Sequence, residues 1–217
     1  MKTILINKGI IALGFATLLL SACASSKDFV SENFANVKQN HKRIAILPFD
    51  VRFQNLADYA NKQDKRKQIF FSKQEQEASL DAQKELFMNV ARQVQKGRYE
   101  IAFQDFNRTN KVLSENGIRT ENIRFQNKAD IARLLGVDAV IFGELVIKIS
   151  QMNNLMMPNF RNDDGVETDV KLFDAASGEM VWSTSLSNRP NSQIDTPHHL
   201  SSGLISQVAK NLPYRNK

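Results

Sequence analysis

Apolar positions in this chain follow two periods, and the change from one to the other predicts where strands give way to helices. Residues 43–49 contain a short continuous apolar run bounded by a proline, which is typical of a strand buried on both faces. Residues 137–149 are apolar throughout from Ala139 to Phe142 and alternate after Gly143, which predicts a long central strand. Alternation predicts three further strands, over residues 99–103, 166–172 and 180–186.

A spacing of three to four between apolar residues predicts the helices. Apolar side chains at every fourth position over residues 78–94 share one face, and Gly97 ends the pattern. Two shorter helices are predicted over residues 105–116 and 127–135, each opened by an Asp or Asn cap and followed by a glycine. The last helix carries Pro197 at its first position.

The order of these elements predicts the fold class. The first half of the chain is typical of right-handed crossovers, and the second half is typical of an antiparallel meander. We therefore expect a single α/β domain of the α+β type over residues 43–217. Its mixed sheet should have about five strands flanked by helices, and the final helix should close the fold.

The first 23 residues follow neither pattern. Two lysines precede an apolar run over residues 10–20, which is shorter than the about 20 apolar residues that span a bilayer. Two small residues then precede Cys23, the single cysteine of the chain. This is the layout of a cleavable secretory signal, which we assign to residues 1–22.

The sequence Leu20-Ser21-Ala22-Cys23 resembles the lipobox of bacterial lipoproteins. The resemblance implies cleavage before Cys23, attachment of diacylglycerol to its thiol and acylation of the new amine with a chain such as palmitate. Because no aspartate follows Cys23, it also implies the inner leaflet of the outer membrane, facing the periplasm. The alternatives are a secreted protein with a thiol near its cleavage site and an uncleaved anchor helix.

Two polar segments flank the first predicted strand. Residues 23–42 lack apolar periodicity and predict a lipidated flexible tether. Residues 50–73 predict an exposed excursion, either irregular or partly helical, with a basic cluster at Lys65, Arg66 and Lys67. That cluster is either a solvated face or a patch for a partner.

Charge and residue usage narrow the function classes. Removal of residues 1–22 takes the net charge from +6 to +4, because two lysines are lost, and this mild excess gives no argument for nucleic acid. Acylation of Cys23 would leave no thiol for a disulfide, a metal or a nucleophile.

The motifs of enzymes and metal sites are missing from the sequence. It holds neither a Gly-rich phosphate loop nor a GxSxG elbow. His41 falls in the predicted tether, and His198 and His199 are adjacent on a helix, about 100° apart, so they do not converge on one metal. We therefore expect no catalytic residues, no cofactor and no metal.

One loop carries an unusual density of large apolar residues. Between two predicted strands lie Met152, Leu155, Met156, Met157 and Phe160. Methionine suits adaptable contact surfaces. The loop either folds back over the core or forms an exposed docking lip for a partner or the membrane interface.

Four blocks of sequence resemble a known superfamily. They are residues 44–49, 108–118, 130–143 and 170–182, in that order. Together they resemble the small envelope lipoproteins that include the curli-secretion lipoprotein CsgG, the penicillin-binding-protein activator LpoB and the TolB N-terminal-like domain. The resemblance covers residues 43–187 and implies a mixed sheet flanked by helices, without catalytic residues.

The resemblance implies two kinds of function. Activator-type members are tethered modules that bind a periplasmic enzyme domain, and curli-type members form a ring-shaped channel from membrane hairpins. Such hairpins need alternating strands of about 9–11 residues. Residues 50–73 are too polar for them, and residues 151–165 are too few.

We therefore expect a non-catalytic binding or assembly module for another envelope protein, held to membrane lipid through Cys23. A subunit of an oligomeric outer-membrane secretion channel or structural ring is the alternative.

Overall fold

A seven-stranded mixed sheet forms the centre of the domain. The computed structural model describes residues 27–55, 65–149, 164–192 and 195–215. The strands in these ranges are β1 (Lys27–Val30), β2 (Arg43–Ile46), β3 (Asp50–Asn55), β4 (Ala102–Phe103), β5 (Ala139–Ile149), β6 (Gly165–Asp174) and β7 (Met180–Asn188). The helices are α1 (Phe34–Lys38), α2 (Lys65–Gln95), α3 (Phe106–Glu115), α4 (Lys128–Leu135) and α5 (Pro197–Asn211).

Strand β5 orders the sheet. The strands lie in the order β1-β7-β6-β5-β2-β4, and β3 also pairs with β5. On one side of β5, strands β6, β7 and β1 continue as an antiparallel meander. On the other side, β2 and β3 pair with β5 in parallel. The predicted class, a single α+β domain with a mixed sheet and a C-terminal meander, is confirmed.

Strands β2 and β3 follow one another along the same edge of β5, with an interruption at Pro48. Ile46 lies opposite Ile141, and Asp50 lies opposite Glu144. The four residue steps from Ile46 to Asp50 therefore lie opposite only three residue steps of β5, from Ile141 to Glu144. Because proline has no N–H to donate to a neighbouring strand, Pro48 accounts for the break in pairing between β2 and β3.

Helix α2 supplies hydrogen bonds at this interruption. The Ser79 hydroxyl donates to the carbonyl of Phe49 at 2.5 Å. The Gln83 amide donates to the carbonyl of Ile46 at 2.8 Å. Both side chains are buried, with 1% and 0% exposed. A buried carbonyl without a partner is costly, so these bonds hold α2 in register with the sheet.

The core has two layers, one on each face of the sheet. The larger lies under α2 and α5 and includes Ile46, Leu86, Ile141, Trp182 and Val208. The smaller lies under α3 and α4 and includes Leu47, Leu113, Ile131, Val140 and Phe142. Residues of β5 alternate between the layers, as a strand buried on both faces must. Beyond Phe142 none of the described helices covers the second face, and Glu144, Val146 and Lys148 are only half-buried.

The predicted helix ends are confirmed at three places. Asp105 accepts hydrogen bonds from the backbone of Asn107 and Arg108 at the start of α3. Asn127 caps α4 in the same way, and Gly136 ends α4 with a φ of 64°, which favours glycine.

Two predictions of chain organisation are wrong in detail. The segment over residues 50–73, predicted as an exposed excursion, holds strand β3 and the start of α2, which begins at Lys65, well before the apolar pattern of residues 78–94. In β3 the apolar residues Val51 and Phe53 alternate with polar ones, a pattern hidden by the many polar residues around it. Strand β4 covers only two of the five residues predicted for it.

The tether is also shorter than predicted. Residues 27–42 do not form a free coil, because β1 pairs with β7 and Phe34 of α1 is buried against Tyr214. Their apolar residues are too few for a periodic pattern, and tertiary pairing decides their structure. Residues 23–26 lie outside the described residues.

The ring of Phe49 packs directly on Gly143. A Cβ built at Gly143 would lie 2.2 Å from an atom of that ring. Phe49 is 1% exposed and is surrounded by core, so the ring has little room to retreat.

We expect Gly143→Ala to lower the free energy of unfolding by about 1–3 kcal/mol, because the added methyl overpacks a filled core. Gly203→Ala is the matched control: it lies in α5, where a Cβ would meet nothing closer than 4.0 Å. That change should raise stability by about 0.5–1 kcal/mol, since alanine suits a helix better than glycine. Urea unfolding followed by circular dichroism measures both, and equal effects would contradict the packing argument.

Candidate functional site

Two groups of residues singled out from the sequence lie outside the described residues. They are the proposed lipidation residue Cys23, and the apolar loop residues Met152, Leu155, Met156, Met157 and Phe160. Both stay predictions. The structure shows at which end of the sheet the described chain meets these two segments.

Most of these meeting points lie at one end of the sheet, which we call the Lys27 end. Strand β1 is antiparallel to β7, with Lys27 opposite Ser185. β1 therefore begins at the end of the sheet where β7 finishes and β6 begins. β5 finishes there at Ile149, since its residue Lys148 lies opposite Gly165. β3 finishes there too, with Asn55 opposite Ile149.

Helices α2 and α5 both start at the Lys27 end. Along α2, Phe71 contacts Phe53 near the end of β3, whereas Gln83 reaches Ile46 in β2. α2 therefore runs from the Lys27 end toward the opposite end. The start of α5, around Pro197, lies beside the start of α2 in a shared groove.

The groove between these helix starts is mainly apolar. Its apolar walls come from Phe53, Phe70, Phe71, Ile147, Ile149 and Pro197. The rings of Phe70 and Phe71 lie 5.8 Å apart, and those of Phe53 and Phe71 lie 6.2 Å apart. Beside the groove, Ile69 is 71% exposed. A single exposed apolar side chain is ordinary on a protein surface, so the groove itself is the notable apolar feature here.

The charge of α2 changes sign along the groove. The first ten residues of the helix, 65–74, include four bases and no acid. The next eleven residues, 75–85, include four acids and one base. Three of these acids, Glu77, Asp81 and Glu85, line the inner part of the groove. The groove is thus apolar on most of its wall, and the charged side chains that line it along α2 are acidic.

The opposite end of the sheet holds a buried histidine that sequence reasoning assigned to the tether. His41 is 7% exposed, and its Nε2 lies 2.8 Å from an Asp174 carboxylate oxygen. Its Nδ1 lies 2.5 Å from the Tyr214 hydroxyl. Because an ionised carboxylate only accepts, Nε2 donates to Asp174. In the neutral imidazole Nδ1 then accepts the hydroxyl proton of Tyr214.

This acid, histidine and hydroxyl stand in the order of a nucleophilic triad, but the hydroxyl is inaccessible. Tyr214 is 3% exposed. Burial raises the pKa of Tyr214 well above its usual range, and the charges of Asp174 and Asp138 raise it further. A buried neutral phenol is a poor nucleophile. The network instead joins the segment after α1, the end of β6 and the residues after α5.

A second polar cluster lies where β3 meets α2. Arg52 lies 2.9 Å from Glu144 and 3.3 Å from Asp50, and Arg124 lies 3.7 Å from Asp50. Glu75 accepts a hydrogen bond from the backbone N–H of Phe53 at 2.9 Å. Burial raises the pKa of Glu75, although this hydrogen bond opposes the change. The charges pair with one another, which indicates a structural role.

Among the described residues no group of three or more His, Cys, Asp and Glu side chains is placed to hold a metal. His198 lines the apolar groove, whereas His199 is exposed and contacts Asp195 at 3.3 Å. No helix within the described ranges has both the length and the apolar character to cross a membrane.

The His41 network predicts a pH dependence of stability. Burial alone would raise the pKa of Asp174, but hydrogen bonds from His41 and Ser177 outweigh it and hold the pKa below its usual range. A lowered folded-state pKa stabilises the fold fully above about pH 4, and the effect is lost as the pH falls through the folded-state value.

We expect Asp174→Asn to cost about 1.5–3 kcal/mol at pH 6 and distinctly less as the pH is lowered toward 2, because protonation of the native carboxyl progressively removes the same charge. Asp130→Asn is the control, because that carboxyl is 67% exposed. Chemical denaturation across this pH range measures both variants. An equal cost of Asp174→Asn at the two pH values would contradict the assignment.

No family model matches the chain, and no curated protein sequence matches it. Among solved structures, the PelC dodecamer from Paraburkholderia phytofirmans has 10% identity and a TM-score of 0.43, and the match covers 85% of this chain and 95% of that chain. Lipoprotein GNA1162 from Neisseria meningitidis has 14% identity and a TM-score of 0.44, covering 78% and 99%. The LpoB C-terminal domain from Salmonella enterica has 10% identity and a TM-score of 0.35, covering 69% and 84%. At these identities and TM-scores, the similarities carry no argument about function.

Proposed function

We propose that this protein is a lipid-anchored envelope protein that acts as a non-catalytic binding or assembly module. Acylated Cys23 holds it in the inner leaflet of the outer membrane, and the domain faces the periplasm. The proposal is carried by one observation: a basic flank, a short apolar run, two small residues and the single cysteine stand in the order of a lipoprotein signal.

The structure adds a limit on the reach of the domain. Strand β1 begins at Lys27, four residues after Cys23. Four residues extend by at most about 14 Å. The proposed module therefore works close to the lipid headgroups and meets partners that are themselves at the membrane. Attachment to one surface raises the effective concentration of such a meeting.

The surface for a protein partner is proposed on the uncovered sheet face. Phe29 and Ser183 share this face, because directly opposite residues of antiparallel strands point the same way. Phe29 is 46% exposed there. The neighbouring strand β6 adds charged residues that include Asp169 and its contact at 2.9 Å with Lys171. A polar face with one exposed aromatic residue resembles the composition of a non-obligate interface.

A ring or channel subunit is the second candidate, and one feature favours it. Strand β1 is the outermost strand of the meander, and Val30 is 54% exposed. An outer strand presents backbone groups that another strand can pair with. A second copy of this chain would supply such a strand.

We expect Cys23→Ala to abolish acylation and release the protein from membranes while the domain stays folded, because Cys23 lies outside the core. Metabolic labelling with palmitate, the intact mass and membrane flotation measure the change, and density separation of the two membranes locates the native protein. Ser25→Ala is the matched control and should keep the acyl mass. A Cys23→Ala protein that still floats with membranes would contradict the anchor.

The assembly mass separates the two candidates. Native protein extracted in mild detergent should give a monomer or small complex by light scattering if it is a tethered module. A discrete ring of many copies would overturn that reading in favour of the ring or channel subunit.

A further inference from the structure

Strand β1 contributes little to the core of the domain. It has four residues, and the side chains of Asp28, Phe29 and Val30 are all exposed. Its first two residues, a lysine and an aspartate, belong to types that are depleted in strands. Within the described residues 28–40, Phe34 is the one buried side chain. Backbone hydrogen bonds, and not burial of apolar area, therefore hold β1 on the sheet.

Helix α1 fastens this segment at one point. It has five residues, its N-cap makes no side-chain hydrogen bond, and a helix this short is not stable alone. Phe34 packs edge-on against Tyr214, with ring centres 5.7 Å apart. The chain after α1 is firmly held, because Asp138 accepts the backbone N–H groups of residues 42–43 at 2.7 and 2.8 Å. Residues 27–40 can thus open as a local unit while the rest of the domain stays folded.

Opening of this segment uncovers a longer edge than β1 occupies. Strand β7 has nine residues, and β1 pairs with four of them, from Trp182 to Ser185. The N–H of Ser31 donates to the carbonyl of Val181 at 3.0 Å, and alternation along the ladder turns the backbone groups of Ser183 to the same edge. A strand longer than β1 would therefore form more ladder bonds with this edge.

The side chains of β7 indicate the pattern of a strand that fits its outer edge. Trp182, Thr184 and Leu186 face the core, are at most 2% exposed, and alternate with three serines. Val30 lies opposite Trp182 but is itself 54% exposed, so it fills that position only in part. An incoming strand fits best when apolar residues occupy every second position, on the core side, with polar residues between them.

We propose that β1 is an exchangeable strand, and that an extended segment of a protein partner, with alternating apolar and polar residues, replaces it on the outer edge of β7. The inference deepens the proposed function and rests on its binding role, not on the lipid anchor. Main-chain hydrogen bonds supply the affinity, and the alternate side chains supply the specificity. This edge borders the uncovered sheet face, so a single partner can contact both.

A disulfide between β1 and β7 tests the exchange directly. Asp28 and Thr184 lie directly opposite, and their side chains are already in contact at 2.5 Å. They form a non-hydrogen-bonded pair, in which Cα atoms lie about 4.5 Å apart, a distance that suits a disulfide. In the double variant Asp28→Cys and Thr184→Cys, oxidation pins β1. The reduced form carries the same substitutions and is the matched control, and acylation blocks the thiol of Cys23.

The probe is a fluorescein-labelled nine-residue peptide of alternating valine and threonine with a lysine at each end, added to the acylated full-length protein in mild detergent. Fluorescence anisotropy measures its binding. We expect saturable binding to the reduced variant and at least about tenfold weaker binding to the oxidised one, because the pinned strand keeps the edge occupied. The same peptide with proline at its centre should not bind, since proline donates no ladder hydrogen bond.

Phe34→Ala should tighten peptide binding by about tenfold or more, because release of β1 then exposes less buried surface. Phe125→Ala is the matched control, since Phe125 is 73% exposed, and it should leave binding unchanged. Hydrogen exchange followed by mass spectrometry gives a readout without the peptide. Residues 27–40 should exchange at least about tenfold faster than β5, and oxidation of the double variant should slow them.

Exchange of residues 27–40 at the rate of β5 would overturn the inference, and so would equal peptide binding to the oxidised and reduced protein. Equal binding of the proline peptide would also overturn it, because the contact would then not be a strand ladder. A disulfide that links two chains, seen as a dimer under non-reducing conditions, would assign the edge to β1 of a second copy. An intact mass without acyl chains on Cys23 would overturn the proposed anchor and leave the strand exchange standing.

Discussion

Strand β5 is the element on which the rest of the structure depends. It pairs with β6 along nearly all of its length, and its other edge is shared by β2 and then β3. Two separate strands can occupy that edge because Phe49 folds its ring over Gly143, where any side chain would collide with it. The hydrogen bonds from Ser79 and Gln83 then tie α2 to the interruption. A single residue without a side chain thus permits the joint between the parallel and antiparallel halves of the sheet.

Residues with a clear period could be predicted from the sequence, and residues fixed by distant partners could not. The meander, α3, α4 and α5 follow from local alternation, spacing and caps, each of which depends on near neighbours. Strand β1 is recognised only through β7, about 150 residues later in the chain, so tertiary pairing overrides its weak propensity.

The same distinction between local patterns and distant partners applies to the residues at the two ends of the sheet. The polar composition of residues 50–73 concealed β3, although Val51 and Phe53 do alternate with polar residues. His41 looked like a tether residue because its partners, Asp174 and Tyr214, come from the last quarter of the chain. The groove could have been suspected from Phe70 and Phe71, two aromatic residues that follow Ile69 shortly after a basic cluster.

The pairing of β1 also determines how the domain would respond to mechanical load. Tension on the chain before Lys27 acts along β1, whose four residues pair with β7. When the load is carried at the far end of the sheet, β1 and β7 slide past one another, and their hydrogen bonds resist together. Behind β1, the next restraints in the chain are Phe34 against Tyr214 and the bonds of His41. Residues 27–41 therefore form a series of restraints, in which each one is loaded only after the one before it yields.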